Sequence, residues 1–161
     1  MDASKSARNI SVRVQTADFD LSTEVQAVRG GDAGVGAVTA FVGTVREMNE
    51  GSGVSTMTLE HYPGMTEKAL TEICHEAFDT FDLLGASVVH RVGPLAPLDQ
   101  IVLVVVTSAH RGEAFKACEF IMDFLKTRAP FWKKETTAEG QRWVAARDTD
   151  EDAAQRWRQQ S

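Results

Sequence analysis

Positive charge gathers in this acidic chain where a helix has to end. The stretch LKTRAPFWKKE, residues 125–135, places Lys126, Arg128, Lys133 and Lys134 around Pro130, Phe131 and Trp132. Cations in a last helical turn meet the negative end of the helix dipole, worth a few tenths to about 1 kcal/mol. Lysines at a strand edge discourage association with other strands. A lysine held against apolar walls has a further use, because its pKa falls and it can serve as base, acid or nucleophile. Lys126 and Lys133 stand seven residues apart and would share a face only if the helix ran on. Pro130 drives Ala129 away from helical geometry. Lys126 therefore belongs to the helix's last turn and Lys133 to a turn or strand beyond it, with Phe131 and Trp132 anchoring the corner in the core. A solvated helix end and one wall of an anion site both fit these residues.

Two other stretches could bind an anion. TSAHRGEAF (107–115) sets His110 and Arg111 where an apolar strand turns into a helix. Backbone N–H groups and the positive dipole suit an anion there. Arginine offers a fork of donors and histidine exchanges a proton, although His110 could equally cap the helix. FVGTVRE sets Arg46 between a strand and a glycine-bearing loop, facing ligand or solvent. Glu60 and His61 of LEHYPG lie on opposite faces of a strand and form no dyad, while His75 and His90 read as surface or core residues. No spacing suits a metal, no GxSxG elbow occurs, and GGDAGVG follows no strand, so neither phosphate loop nor dinucleotide fingerprint is supported. The residues alone point to a basic pocket of Arg46, His110, Arg111, Lys126 and Lys133 and choose no reaction.

The elements that must position these groups follow from periodicity. ISVRVQ (10–15), VGAVTAFVGTVRE (35–47), TMTLEHY (56–62), ASVVHRVG (86–93) and QIVLVVVTSA (100–109) read as strands. The last is almost wholly apolar and should be central, covered on both faces. PLAPLD reads as the turn before it. A short helix precedes Gly30-Gly31, a second runs from Pro63-Gly64 to about Leu84, and a third from about Gly112 to Arg128. On the third, Ala114, Phe115, Cys118, Ile121, Met122 and Leu125 form one apolar flank and Ala117, Phe120 and Phe124 another. It should pack against the sheet and against a second layer, supplied by this chain or by another copy. KKETTAEGQRWV (133–144) reads as a hairpin about Glu139-Gly140, and DEDAAQRWRQQ as a short terminal helix. Strands and helices mix without regular alternation, so the fold class is α+β.

With 161 residues, 43% hydrophobic and 25% charged, the chain fits one domain, residues 1–9 and about 150–161 being its flexible ends. The net charge of -6 opposes non-specific nucleic-acid binding but not a local pocket for a small anion. Cys74 and Cys118 fall on apolar helix faces and read as buried thiols. MDASKSARNI has no apolar core, and no run approaches the roughly 20 residues of a membrane span. The expected location is the cytoplasm.

LEHYPGMTEKAL, HRVGPL, VTSAHRGEAF and, most specifically, FIMDFLKTRAPFWKKE followed by RWV resemble the large, catalytic subunit family of molybdopterin synthase, in one register from about Gly36 to Trp143. The resemblance implies an α/β hammerhead-type fold with a mixed, mostly antiparallel sheet, and no cofactor. It implies a homodimer that binds one small ubiquitin-like sulfur-carrier subunit per protomer, making a heterotetramer. The carrier's C-terminal Gly-Gly thiocarboxylate would donate sulfur in two transfers, converting cyclic pyranopterin monophosphate into molybdopterin. Lys126 and Lys133 match the family's catalytic lysines. Thr44, Val45, Arg46, His110, Arg111, Lys134 and Glu135 match or adjoin substrate-binding positions. Thr44 stands where the family often has lysine, removing one expected positive contact. The alternative is a non-catalytic homologue that only docks a carrier tail.

Overall fold

The computed structural model describes residues 7–47, 56–137, 140–144 and 155–157. The four-stranded first sheet has the order β1-β4-β6-β2, built from β1 (Asn9–Gln15), β2 (Ala37–Thr44), β4 (Gly85–Arg91) and β6 (Gln100–Ser108). β1 runs parallel to β4, and the other pairings are antiparallel. The second sheet, order β5-β3-β7-β8, is antiparallel throughout. It comprises β3 (Thr56–His61), β5 (Gly93–Leu95), β7 (Phe131–Thr137) and β8 (Gly140–Val144). The helices are α1 (Leu21–Arg29), α2 (Met65–Thr80) and α3 (Arg111–Arg128). The expected α+β class holds, with two sheets where one was expected and β5 paired where PLAPLD and its approach read as turn.

β6 lies inside its sheet with both faces covered, as its unbroken apolar run requires. Val102, Val104 and Val106 share a core with α2, α3 and the second sheet, while Leu103 and Val105 meet Phe19, Val28 and Val89 on the α1 side. This alternation puts His90, two residues beyond Val88 on β4, on the face toward α2 and α3.

α2 stops at Thr80, earlier than Leu84, because Phe81 takes an extended conformation. Both expected contacts of α3 exist. Its Phe120 and Phe124 flank packs within this chain, Phe120 meeting Phe81 edge-on at 5.5 Å and Trp157 at 5.6 Å. Residues 155–157 form a helical turn on α3, held by Arg156 to Glu119 and by the Trp157 indole N–H to Asp123. The other flank leaves Phe115 61% exposed, beside the edge strand β2 with Val38 and Phe41 also exposed. Among the described residues no helix is long and apolar enough to cross a membrane. The hairpin residue Glu139, the loop 48–53 and the ends 1–6 and 158–161 lie outside the described residues.

Candidate functional site

The corner after α3 forms as its proline requires. Ala129 is extended, at φ -81° and ψ 129°, and β7 starts at Phe131, two residues before the expected position. Thr66, fully buried at the start of α2, fastens this corner. Its hydroxyl donates to the Pro130 carbonyl at 3.0 Å and accepts from the Tyr62 N–H at 3.0 Å. β7 pairs with β3 so that Phe131 opposes His61 and Lys133 opposes Leu59. Opposed residues share a sheet face, so Lys133 projects from the inward face, beside buried Leu59. Trp132 alternates to the outer face and is 44% exposed. The strand pleat thus corrects one expectation: Phe131 anchors the corner in the core, and Trp132 does not. Lys134 shares Trp132's face. Glu135 opposes Met57, and its side chain lies outside the described residues.

On the same side of β7 as Lys133, against Phe131, lies His90, which sequence reasoning did not single out. The imidazole is 4% exposed and stacks on Phe131, with ring centroids 3.9 Å apart and planes at 21°. Its Nδ1 lies 2.9 Å from the Arg91 carbonyl. A carbonyl only accepts, so Nδ1 carries the proton and Nε2 keeps its lone pair. Burial pushes the His90 pKa down to about 3; the Arg91 hydrogen bond opposes this, and the charges of Lys126, Lys133 and His61 add to it. Both lysines, from different elements, therefore act on one buried ring. The signal in the sequence was a histidine closing the strand ASVVH on its core face.

His90 makes acid stability a test of this geometry. Unfolded, the imidazole titrates near 6.5; folded, at about 3. Between those values the unfolded chain binds the extra proton, so unfolding free energy climbs with pH to about 6.5 and falls as acid is added. From pH 7 to pH 5 this one group costs about 2 kcal/mol. Urea unfolding of the wild type should lose that much more than His90→Phe over the same interval. Equal losses would mean the ring is not held neutral.

Thr44, Val45 and Arg46 lie at the same end of the first sheet. The register slips between Gly43 and Thr44, so Gly43 opposes Val102 but Thr44 opposes Gln100. Such irregularities re-aim a strand end. Val45 is then held by its N–H on the Asp99 carbonyl and its own carbonyl on the Leu98 N–H, each at 2.8 Å. Arg46 is exposed just beyond, and His90 opposes Val102 two residues into β6.

His110 and Arg111 sit at the other end. They follow Ser108, the last residue of β6, which opposes Ala37. At the strand rise, the ends of β6 lie roughly 25 Å apart, and α3 carries Lys126 roughly 22 Å along its axis from Arg111. One chain therefore does not gather Arg46, His110, Arg111, Lys126 and Lys133 into one pocket, contrary to expectation. The His110 side chain makes no capping hydrogen bond although the residue occupies the α3 N-cap. Both His110 and Arg111 are exposed. Gly36 enables the close turn here: a Cβ on it would run into the Ala109 carbonyl.

Between β2 and α3 runs a groove of about 450 Å³, lined by Thr39, Phe41, Phe115, Cys118, Met122 and Lys126 among others. Its walls are mostly apolar and Lys126 supplies a cation. Cys118 is no nucleophile for it, since burial pushes that thiol up to about 11 and Cys74 up to about 12. Among the described residues, no three His, Cys, Asp or Glu side chains gather as a metal site.

A model of the MoaE protein family matches residues 14–128. The molybdopterin synthase catalytic subunit of Ralstonia nicotianae is 65% identical over 147 residues, covering 91% of this chain and 84% of that protein. A solved structure of a molybdopterin biosynthesis MoaE protein from Burkholderia ambifaria superposes with a TM-score of 0.81 at 55% identity, covering 92% of this chain and 97% of that one. The crystal structure of molybdopterin synthase from Staphylococcus aureus gives 0.77 at 32% identity, covering 82% and 95%.

Proposed function

Because this chain belongs to the MoaE protein family, we propose that it is the catalytic subunit of a molybdopterin synthase. In this reading it transfers sulfur from the C-terminal thiocarboxylate of a small ubiquitin-like carrier to cyclic pyranopterin monophosphate, in the cytoplasm. The observation that carries the reading is that two lysines from different elements, Lys126 in the last turn of α3 and Lys133 on the inward face of β7, flank one corner, with Lys126 also lining the groove. A Gly-Gly tail has no side chains to clash with the apolar walls of the groove, while its thiocarboxylate is an anion that seeks the ammonium groups. The thiocarboxylate sulfur bonds to a side-chain carbon of the pterin precursor as a C–O bond of that carbon breaks, the oxygen leaving as water after protonation or staying with the phosphate. Water then cleaves the resulting thioester, leaving sulfur on the pterin and a carboxylate on the carrier; a second carrier repeats the step. Lys126 serves as the acid–base group and Lys133 holds the tail's carbonyl oxygen as charge develops on it. Thr44 and Val45 shape the strand end that presents Arg46 to the phosphate, and Lys134 and Glu135 border the second lysine.

His110 and Arg111 join this site from a second copy. β2 is an edge strand with exposed Val38 and Phe41, an apolar edge that calls for cover. A two-fold axis beside the middle of β2 sets the Arg46 end of one protomer against the His110 end of the other. The homodimer thereby completes two anion sites and leaves both protomers able to take a carrier, giving a heterotetramer. Complementation tests this directly. Lys126→Ala homodimers and His110→Ala/Arg111→Ala homodimers should each be weak. Co-expressed mixed dimers should recover about half the wild-type turnover, because one of their two sites is intact. No recovery in purified mixed dimers would place all five residues in one protomer's site.

A further inference from the structure

We propose that His90 is a positioning residue for the lysine pair: its ring, stacked on Phe131, sets where β7 begins and hence where Lys133 stands relative to Lys126. The proposal rests on the sulfur-transfer reading only for its kinetic consequence. Lys133 lies two residues beyond Phe131 on the same face of β7, so a shift of the Phe131 ring is passed along a stiff strand to the lysine stem. Two restraints hold that strand start. Thr66 grips the Pro130 carbonyl from α2, and His90 abuts Phe131 from β4. The imidazole is itself held against rotation, because its Nδ1–H is tied to the Arg91 carbonyl of its own strand. A hydrocarbon ring would stack but have no such tether, and a charged ring would repel the cations around it. Those groups are Lys126 on α3, Lys133 on β7 and His61 on β3, the last lying 4.0 Å from Glu67 of α2. Burial keeps His90 uncharged, so it supports the two lysines without competing with them for the anionic reactants.

His90→Leu fills the space without a stacking ring, and His90→Phe keeps the ring without the tether. Misplacing a reacting group by about 1 Å can cost up to about 100-fold in rate. In reconstituted synthase His90→Leu should therefore lose about 10- to 100-fold in kcat, with KM for the pterin precursor little changed. His90→Phe should stay within about threefold of the wild type, although it is less stable. The second readout needs no activity. With the lysines reductively 13C-methylated, the Lys133 resonance, assigned by its absence in Lys133→Ala, should move in His90→Leu and stay in His90→Phe. A folded His90→Leu protein with wild-type kcat and an unmoved resonance would overturn the proposal, as would a His90→Phe protein as impaired as His90→Leu. Should His90→Leu not fold, Phe131→Leu, which removes the other ring of the stack, takes its place under the same criteria. If the wild type transferred no sulfur, the functional reading would fall while the resonances still tested the positioning.

Discussion

Lys126→Ala lowers the turnover of sulfur transfer by about 10²- to 10⁴-fold, the range that a positioned acid–base group supplies, and leaves the protein folded. The fold survives because Lys126 is exposed in the last turn of α3. Its charge in that turn interacts with the helix dipole for at most about 1 kcal/mol, and Arg128 remains in the same turn. The helix stop depends on Ala129 and Pro130, and its packing on Ile121, Phe124 and Leu125, none of which the substitution touches. The loss should fall on kcat rather than on carrier affinity, because one ammonium is a small part of a groove that is mostly apolar. Steady-state kinetics beside thermal unfolding separate the two. A variant that melts like the wild type and turns over at a comparable rate would remove Lys126 from the chemistry.

Lys133→Ala should cost about 10²- to 10³-fold in kcat, the loss typical of removing one donor to a developing oxyanion. Lys133→Arg should recover little. Its inward position beside Leu59 and the His90–Phe131 stack accepts a slender stem and a compact ammonium, whereas a guanidinium is a planar fork. The two lysines act on one reacting group, so the double alanine variant should lose much less than the product of the single losses. Multiplicative losses would mean that they serve separate steps. These variants differ in stability from the wild type by little, since the strand start is held by Thr66 and Phe131 rather than by the lysine.

The sequence exposed the local geometry of this corner and hid its surroundings. Pro130 foretold the helix stop, and the seven-residue spacing then foretold two lysines on different elements. The unbroken apolar run of β6 announced a central strand, and the two flanks of α3 announced two contacts. Each of these depends on neighbours in the chain. The partition into two sheets was hidden, because strand order is set by long-range pairing that β1 or β5 cannot express alone. Trp132 was misplaced because the outward phase of β7 is fixed by its register with β3. His90 read only as a surface or core residue for a similar reason: a histidine ending a strand looks the same whether it meets solvent or the Phe131 ring. The separation of His110 and Arg111 from Arg46 is a matter of length. All three lie beside strand ends, and only the antiparallel register of β2 against β6 shows that the ends are opposite ones.

The most direct measurement is incubation of the purified protein with cyclic pyranopterin monophosphate and a thiocarboxylated carrier, with the pterin product read by mass spectrometry. Two sulfurs should appear in the product for every two carrier thiocarboxylates converted to carboxylates, and Lys126→Ala should nearly abolish both changes. A carrier that binds the protein while no dithiolene forms, under conditions in which an authentic synthase turns over, would contradict catalysis and leave a protein that only docks the tail.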